Sequence, residues 1–506
     1  MINTNSIKKV INCLNGPECR PQAPVAEGGP VIRWNLSLRR HAQDFIHISC
    51  HPLPPPIIGG GLSECSCRRQ RCDGGNRRDW FPGAGGMRAA SGHLRSDVKP
   101  LSAFLLICLM AALLTIISCS RENSDDLIKQ RIDRIENGLV EFTSVKDLFQ
   151  VGIVKSGDLR TLAERMKHYH TPGVSIAVIK DFALDWAKAY GVLKAGSDRL
   201  VATDSYFQAA STSKLVAAAI VLYNVQKGIL NLEEDVNGYL ESWKLPENDF
   251  TRQQKVTLRL LLTHQAGLPA TNFPQKENAG DPTLVQVLKG ESPAMNKPAV
   301  VESVPGTKWQ YSNIGFVVIQ QILEDVMGKP YSQIARETVF QLLGMKHSTF
   351  QYPLNQKLQA KEAMPHDADG IACEPAMPPT ALAQGGLMTT PSDLAILAIE
   401  LMRAYNGLSD RLLSKEMAHR MFRKELDLDP GMFGGLPLGE GLGVMLYGEG
   451  ENLVFAHPGS NFPGMNCWLF GYPKTGRGLV VMTNGAQGEI LALEIISAVN
   501  REYSRS

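Results

Sequence analysis

Between Ser205 and Gly228 the chain reads SYFQAASTSKLVAAAIVLYNVQKG, and no other stretch restricts its folding as tightly. A short apolar run gives way to a small-residue turn. A helical pattern follows, in which Leu215, Ala218, Ala219, Leu222 and Val225 recur at three- and four-residue spacing before a stop at Gly228. The spacing predicts a mostly buried helix from about Thr212 to Lys227, with Ser211 at its N-terminus and Lys214 one turn on. Residues three apart share a helix face, so the amine would reach the hydroxyl, while the positive end of the helix favours an anion beside Ser211. A serine hydroxyl is a weak nucleophile until a base takes its proton. A lysine desolvated among Leu215, Val216 and alanines would have the lowered pKa which that role requires. The spacing alone says little: Ser-x-x-Lys recurs at Ser6–Lys9 and Ser96–Lys99, and an N-cap serine with a snorkelling lysine produces the same pattern. The setting of strand, turn and buried helix, with partners downstream, distinguishes the third copy.

The chain has 506 residues, 44% of them hydrophobic, enough for a large core, but its front differs from its body. Residues 1–86 hold eleven Lys/Arg against six Asp/Glu, six of the ten cysteines and a PLPPP run, with no sustained apolar period. The whole chain nets only +2, so its charge implies no nucleic-acid partner. His47, His51, Cys65, Cys67 and Cys72 match no common zinc spacing on both sides, so no metal site is assigned. The segment 1–86 is expected to be a disordered or untranslated leader. At Met87 a basic stretch with Arg88, Arg95 and Lys99 leads into the apolar run Leu101–Ile117, so 87–118 reads as an export signal and Met87 as a start. The run is long for a signal core and short for a membrane span, which leaves cleavage and signal-anchor both open.

Downstream, residues 119–156 are charged and weakly helical and read as a tether. A domain is expected over 157–506. GVSIAVIK and LDWAKAYGV predict two strands of a hairpin before the serine segment. In VTLRLLLTHQAGLP, His264 follows a short helix and reads as a structural hydrogen-bonding residue. The segment VPGTKWQYSNIGF places Tyr311 and Asn313 in a loop before a helix that ends at Gly328. A phenol held near a lysine ammonium would have a depressed pKa and could act as a general base, and the asparagine amide could serve the substrate or the lysine. A buried tyrosine beside a capping asparagine is the plain alternative. Thr390, Pro391 and Asp393 mark a structural helix start.

Near the C-terminus, NLVFAHPGSNFPGMNCWLFGY and LVVMTNG predict strands, with a last helix over about Glu489–Tyr503. Two triplets compete for a third site element. Lys474-Thr475-Gly476 sits between Pro473 and Arg477, between two apolar runs, and reads as a hairpin tip. His457-Pro458-Gly459 lies at the end of a strand, where a glycine lets substrate approach the backbone and Ser460 can offer its N–H. The second is preferred.

With Ser211-x-x-Lys214, Tyr311-Ser-Asn313 and His457-Pro-Gly459 in that order, and with LLTHQAGLP, PGTKWQYSN and AQGGLMTTPSDLA between them, the chain resembles the serine β-lactamase superfamily over roughly 157–506. By pattern it is most similar to class C β-lactamases, DD-peptidases, D-aminopeptidases and esterases of that fold. No G-x-S-x-G elbow points to an α/β-hydrolase. The resemblance implies an α/β (α+β) fold, an antiparallel sheet built from both ends of the chain with flanking helices, and a mostly helical insertion over about 212–435. It implies catalysis by Ser211, Lys214 and Tyr311, with Asn313, His457, Gly459 and Ser460 in substrate binding and the oxyanion hole, and no cofactor. The substrate would be a small molecule or a peptidoglycan-like peptide.

Ile116-Ile117-Ser118-Cys119 resembles a bacterial lipoprotein cleavage motif, which makes Cys119 the expected lipid attachment site and the cell envelope, facing the periplasm, the expected location. Where the family usually has Lys and a hydroxyl residue, this chain has His457 and Pro458, so its grip on a β-lactam carboxylate should be weak. An exported ester, amide or D-amino-acid peptide hydrolase is therefore expected. A true β-lactamase, or a non-catalytic sensor of penicillin or peptidoglycan, is the alternative.

Overall fold

The computed structural model describes residues 125–148, 156–274, 279–375, 377, 379–429 and 438–504. The expected leader, export signal and lipid-attachment Cys119 lie outside them. Strands β1 (Gly173–Lys180) and β2 (Ala183–Gly191) form the hairpin that their sequences predict. A short pair, β3 (Phe207–Gln208) and β4 (Met388–Thr389), stands apart. Strands β5 (Leu426–Leu428), β6 (Leu438–Glu440) and β7 (Met445–Tyr447) lead to β8 (Val454–Asn461), β9 (Met465–Tyr472) and β10 (Arg477–Thr483). Eight of them make one antiparallel sheet in the order β2-β1-β10-β9-β8-β7-β6-β5, so its two ends of chain meet where Val174 lies opposite Thr483.

Alternation along each strand divides the side chains between two layers. Val174, Ile176 and Val178 of β1, Leu479 and Val481 of β10, and Ala456 of β8 face the C-terminal helix Gly488–Tyr503, which inserts Leu491, Ile495 and Val499. The intervening residues, among them Ala177, Val480, Leu469 and Phe455, face the helical region. There the helix Ser213–Gln226 has every residue from Leu215 to Leu222 out of contact with water. Up to Leu222 it is a core helix with no solvent face, as its unbroken apolar run predicts. Helix Asn313–Met327 begins on the Ser312 cap and stops at Gly328, and helix Pro391–Tyr405 starts on the Thr390 hydroxyl.

Two expectations need correction. The described part of the tether belongs to the domain: residues 125–136 are helical, and Ile135, Leu139, Phe142 and Leu148 are buried against the C-terminal helix layer. Arg134 pairs with Glu502, and Glu494 takes hydrogen bonds from Arg165, Tyr169 and the Phe142 N–H. Charged residues at the surface of this segment hid an apolar stripe too short to register as a period. The helical insertion ends before about 435, because Leu426–Leu428 already pairs into the main sheet. Strands β5 to β7 went unpredicted because three residues each are too few to show alternation. Cys373 and Cys467 are both free. Among the described residues no helix is long and apolar enough to cross a membrane.

Candidate active site

Ser211 sits on a one-turn 3-10 segment, Ala210–Thr212, which the helix Ser213–Gln226 continues. β3 delivers the chain to this turn, and Ala209 N–H donates to Leu387 O at 2.9 Å. Ala210 holds φ +47°, a left-handed conformation that costs a residue with a Cβ about 1–2 kcal/mol. The neighbours that enforce it are specific. The Ser213 hydroxyl donates to Ala210 O at 2.6 Å and accepts from Leu387 N–H at 3.1 Å, and the Thr212 hydroxyl donates to His457 O at 3.3 Å.

Lys214 is fully buried beneath Ser211. Its Nζ lies 3.0 Å from Ser211 Oγ, 2.9 Å from Asn313 Oδ1 and 2.6 Å from Gln384 O. Loss of water drives the amine well below its usual pKa, toward the neutral form. A neutral amine has two N–H groups and one lone pair. An amide oxygen and a carbonyl oxygen can only accept, so they take the two N–H groups and the lone pair is left for the Ser211 hydroxyl. The three contacts thus orient Lys214 as a proton acceptor.

Tyr311 faces the same point: its hydroxyl is near enough to the Ser211 side chain to interact with it, and Lys214 Nζ lies 5.0 Å from its ring centroid. The expected depression of its pKa is not found. Burial raises it, with the Ser211 side chain pulling the other way and Glu440 adding to the rise. The burial that lowers the pKa of Lys214 works against the cation that was to stabilise a phenolate. A neutral pair is favoured over ammonium and phenolate in a dry site. Burial thus favours the protonated form of Tyr311 and the deprotonated form of Lys214.

His264 is the platform under Tyr311, with ring centroids 4.3 Å apart. Its Nδ1 accepts the Ser312 N–H at 3.1 Å, and burial keeps the ring neutral. It has the structural role read from sequence. Asn313 Nδ2 donates to Thr271 O at 3.2 Å, so its amide spans from the loop to Lys214.

His457 lies on the face of β8 that looks to the helical region, opposite Leu469. It is 4% exposed, and burial is the main cause that lowers its pKa to about 3. A Cβ on Gly459 would fall 2.2 Å from Ala209 O and 3.0 Å from Thr212 N, so only glycine lets β8 lie this close to the nucleophile turn. Ser460 Oγ donates to Asn466 Oδ1 at 3.0 Å. Lys474 is elsewhere, at the tip between β9 and β10, 3.6 Å from Glu451 and over the Tyr405 ring. The structure thus brings Ser211, Lys214, Tyr311 and Asn313 into direct contact, with His457, Gly459 and Ser460 alongside on β8.

Two participants were not foreseen. Gln384 contributes a main-chain carbonyl, which leaves no mark in a sequence. Glu440 is a buried carboxyl beside Trp309, pushed well above the carboxylate range, and its GEGLG setting reads as a surface turn. Among the described residues no group of His, Cys, Asp and Glu is arranged to hold a metal.

An antiparallel sheet joined from both ends of the chain, with a serine and a buried lysine where it meets a helical region, defines a fold of the β-lactamase and penicillin-binding class. The chain belongs to the Beta-lactamase family, which it matches over residues 159–496. It is 29% identical over 215 residues to an Escherichia coli O157:H7 protein provisionally named D-alanyl-D-alanine carboxypeptidase, covering 40% of this chain and 49% of that one. The chain thus spans about half the length of these relatives. Penicillin-binding protein 4 of Amycolatopsis lactamdurans is 28% identical over 333 residues, 64% of this chain and 83% of its own. A class C β-lactamase structure superposes with a TM-score of 0.53 at 20% identity, covering 66% of this chain and 93% of that one, a likeness of fold.

Proposed function

We propose that this protein is an exported serine hydrolase that cleaves an ester, amide or D-amino-acid peptide bond through an acyl-enzyme on Ser211. The supporting observation is the set of three contacts at Lys214, which leaves its lone pair for Ser211. Lys214 takes the hydroxyl proton as Oγ attacks the substrate carbonyl. The main-chain N–H groups of Ser211 and Ser460 hold the oxyanion, a contribution of about 3 to 4 kcal/mol per donor. The proton then passes through the Tyr311 hydroxyl to the leaving group, which departs and leaves the acyl-enzyme. Water enters and attacks the acyl carbon while giving its proton to Lys214 along the same path, and Lys214 returns that proton to Ser211 Oγ as the bond to the acyl group breaks.

The names of the carboxypeptidase relatives imply a substrate with a free carboxylate. A neutral His457 followed by a proline favours other esters and amides over such peptides and over β-lactams. The test is labelling by a fluorophosphonate and hydrolysis of a short-chain nitrophenyl ester. Both are expected in the unsubstituted protein and absent in Ser211→Ala; equal activity in that variant rejects the proposal. Stoichiometric acylation by penicillin without turnover would support the sensor reading, and rapid nitrocefin hydrolysis the β-lactamase reading. Export and a lipid on Cys119 are further parts of the proposal, checked by fractionating cells and measuring the intact mass of the membrane-bound product.

A further inference from the structure

Resting on the hydrolase reading of the cleft, we propose that His457 presents an uncharged hydrogen-bond acceptor beside the scissile bond. The site then selects substrates with an N–H or O–H donor at that place and discriminates against those with a carboxylate there. The Nδ1 atom of His457 lies 2.7 Å from Pro458 O. A carbonyl oxygen only accepts, so Nδ1 carries the ring proton and Nε2 carries a lone pair. Nε2 makes no hydrogen bond to any described residue, and it is absent from the polar atoms sealed inside the protein without a partner. Nε2 therefore keeps some contact with solvent, on a strand held beside the nucleophile turn by the Thr212 hydroxyl on His457 O and by Gly459.

Among the described residues named here, none offers a free positive charge at this point. Pro458 has no N–H and no hydroxyl. The Ser460 hydroxyl is committed to Asn466 Oδ1, and the Asn466 amide is committed in turn to Thr483 Oγ1 at 3.2 Å and Gly485 O at 2.8 Å. The segment Asn484–Glu489, which enters the C-terminal helix beside them, contains no Lys or Arg. The N–H groups of Lys214 are taken by Asn313 and Gln384, and Lys474 lies at the other end of β9. Burial keeps the ring uncharged throughout the neutral range. A substrate carboxylate would set acceptor against acceptor, whereas an N–H would satisfy both partners.

Three acetyl esters, of glycolamide, of N,N-dimethylglycolamide and of glycolic acid, differ only in what they offer at this place: a donor, no donor, or a carboxylate. Their dissociation constants are measured by calorimetry on Ser211→Ala, which needs no turnover. Hydrolysis of the same esters by the unsubstituted protein tests the hydrolase reading separately. The glycolamide ester is expected to bind at least about 3- to 10-fold more tightly than the dimethyl analogue, with the glycolate ester weakest. The additional change His457→Lys should reverse the order in favour of glycolate by about 10-fold or more. Equal affinities, no measurable glycolamide binding, or tightest binding of glycolate to the Ser211→Ala protein overturns the inference. Long-range ¹H–¹⁵N spectra of the imidazole read the tautomer without any variant, and a proton on Nε2 overturns it as well.

Discussion

The main-chain carbonyl of Gln384 lies 2.6 Å from Nζ of Lys214, 170 residues away in the chain. With Asn313 Oδ1 at 2.9 Å it uses both N–H groups of a neutral amine and leaves the lone pair on Ser211. Lys214→Arg should therefore lower kcat for a nitrophenyl ester by roughly 10²- to 10⁴-fold, because a guanidinium stays protonated and cannot accept the serine proton. Steady-state kinetics with fluorophosphonate titration of active sites is the measurement; retention of a tenth of the rate would rule out Lys214 as base.

The same charge states set the pH dependence. Lys214 titrates well below 10.5 and must be deprotonated to act, so kcat/KM should rise with pH on a limb well below the ordinary lysine range. Tyr311 is raised above its ordinary 10.0, so no fall from phenol ionisation is expected before that pH. His457, near 3, adds no limb between pH 5 and 8. A pH–rate profile that declines between 7 and 9 contradicts this assignment.

Gly459→Ala places a methyl against Ala209 O and Thr212 N, both backbone atoms of the nucleophile turn. Overpacking of this kind costs about 1–3 kcal/mol, and relief requires β8 to move away from Ser211. A lower Tm together with a loss of ester hydrolysis is expected. Unchanged kinetics would show that β8 need not approach so closely.

Lys474→Ala, in the literal Lys-Thr-Gly, should leave kcat/KM within about twofold and stability within about 0.5 kcal/mol, since its ion pair with Glu451 is at the surface. A large loss of activity would return that triplet to the site.

Glu494→Gln tests the attachment of the segment before the domain. Glu494 is fully buried, binds Arg165 through both oxygens at 2.5 and 2.7 Å, and accepts from Tyr169 and from Phe142 N–H. Removing the charge strands the guanidinium, at a cost of about 3–5 kcal/mol. Chemical denaturation should show that loss, and a change under 1 kcal/mol would mean the segment is held by its apolar residues alone.

Much of the fold was legible where elements are long. β1, β2 and β8 to β10 alternate over seven to nine residues, and the helices Asn313–Met327 and Pro391–Tyr405 begin and end on capping residues visible in the chain. Short strands escaped notice, as did the packed segment before residue 157, whose buried Ile135, Leu139 and Phe142 are scattered among charges. The place of Lys474 on a hairpin tip was also legible, because Pro473 and Gly476 mark a turn.

By itself the sequence determined which residues could do chemistry and in what order they come: a serine and lysine three apart on one helix, a tyrosine in a loop, a histidine on a strand. Local rules suffice for this, since helix pitch, capping and turn preference act over a few residues. Only the tertiary structure decided which groups are charged. Burial of Lys214 and Tyr311 in one dry site favours the neutral pair, and the Gln384 carbonyl and the Pro458 carbonyl then settle where the protons of Lys214 and His457 point. Solvent exclusion and main-chain acceptors belong to the assembled molecule, because they arise from segments brought together over long stretches of chain.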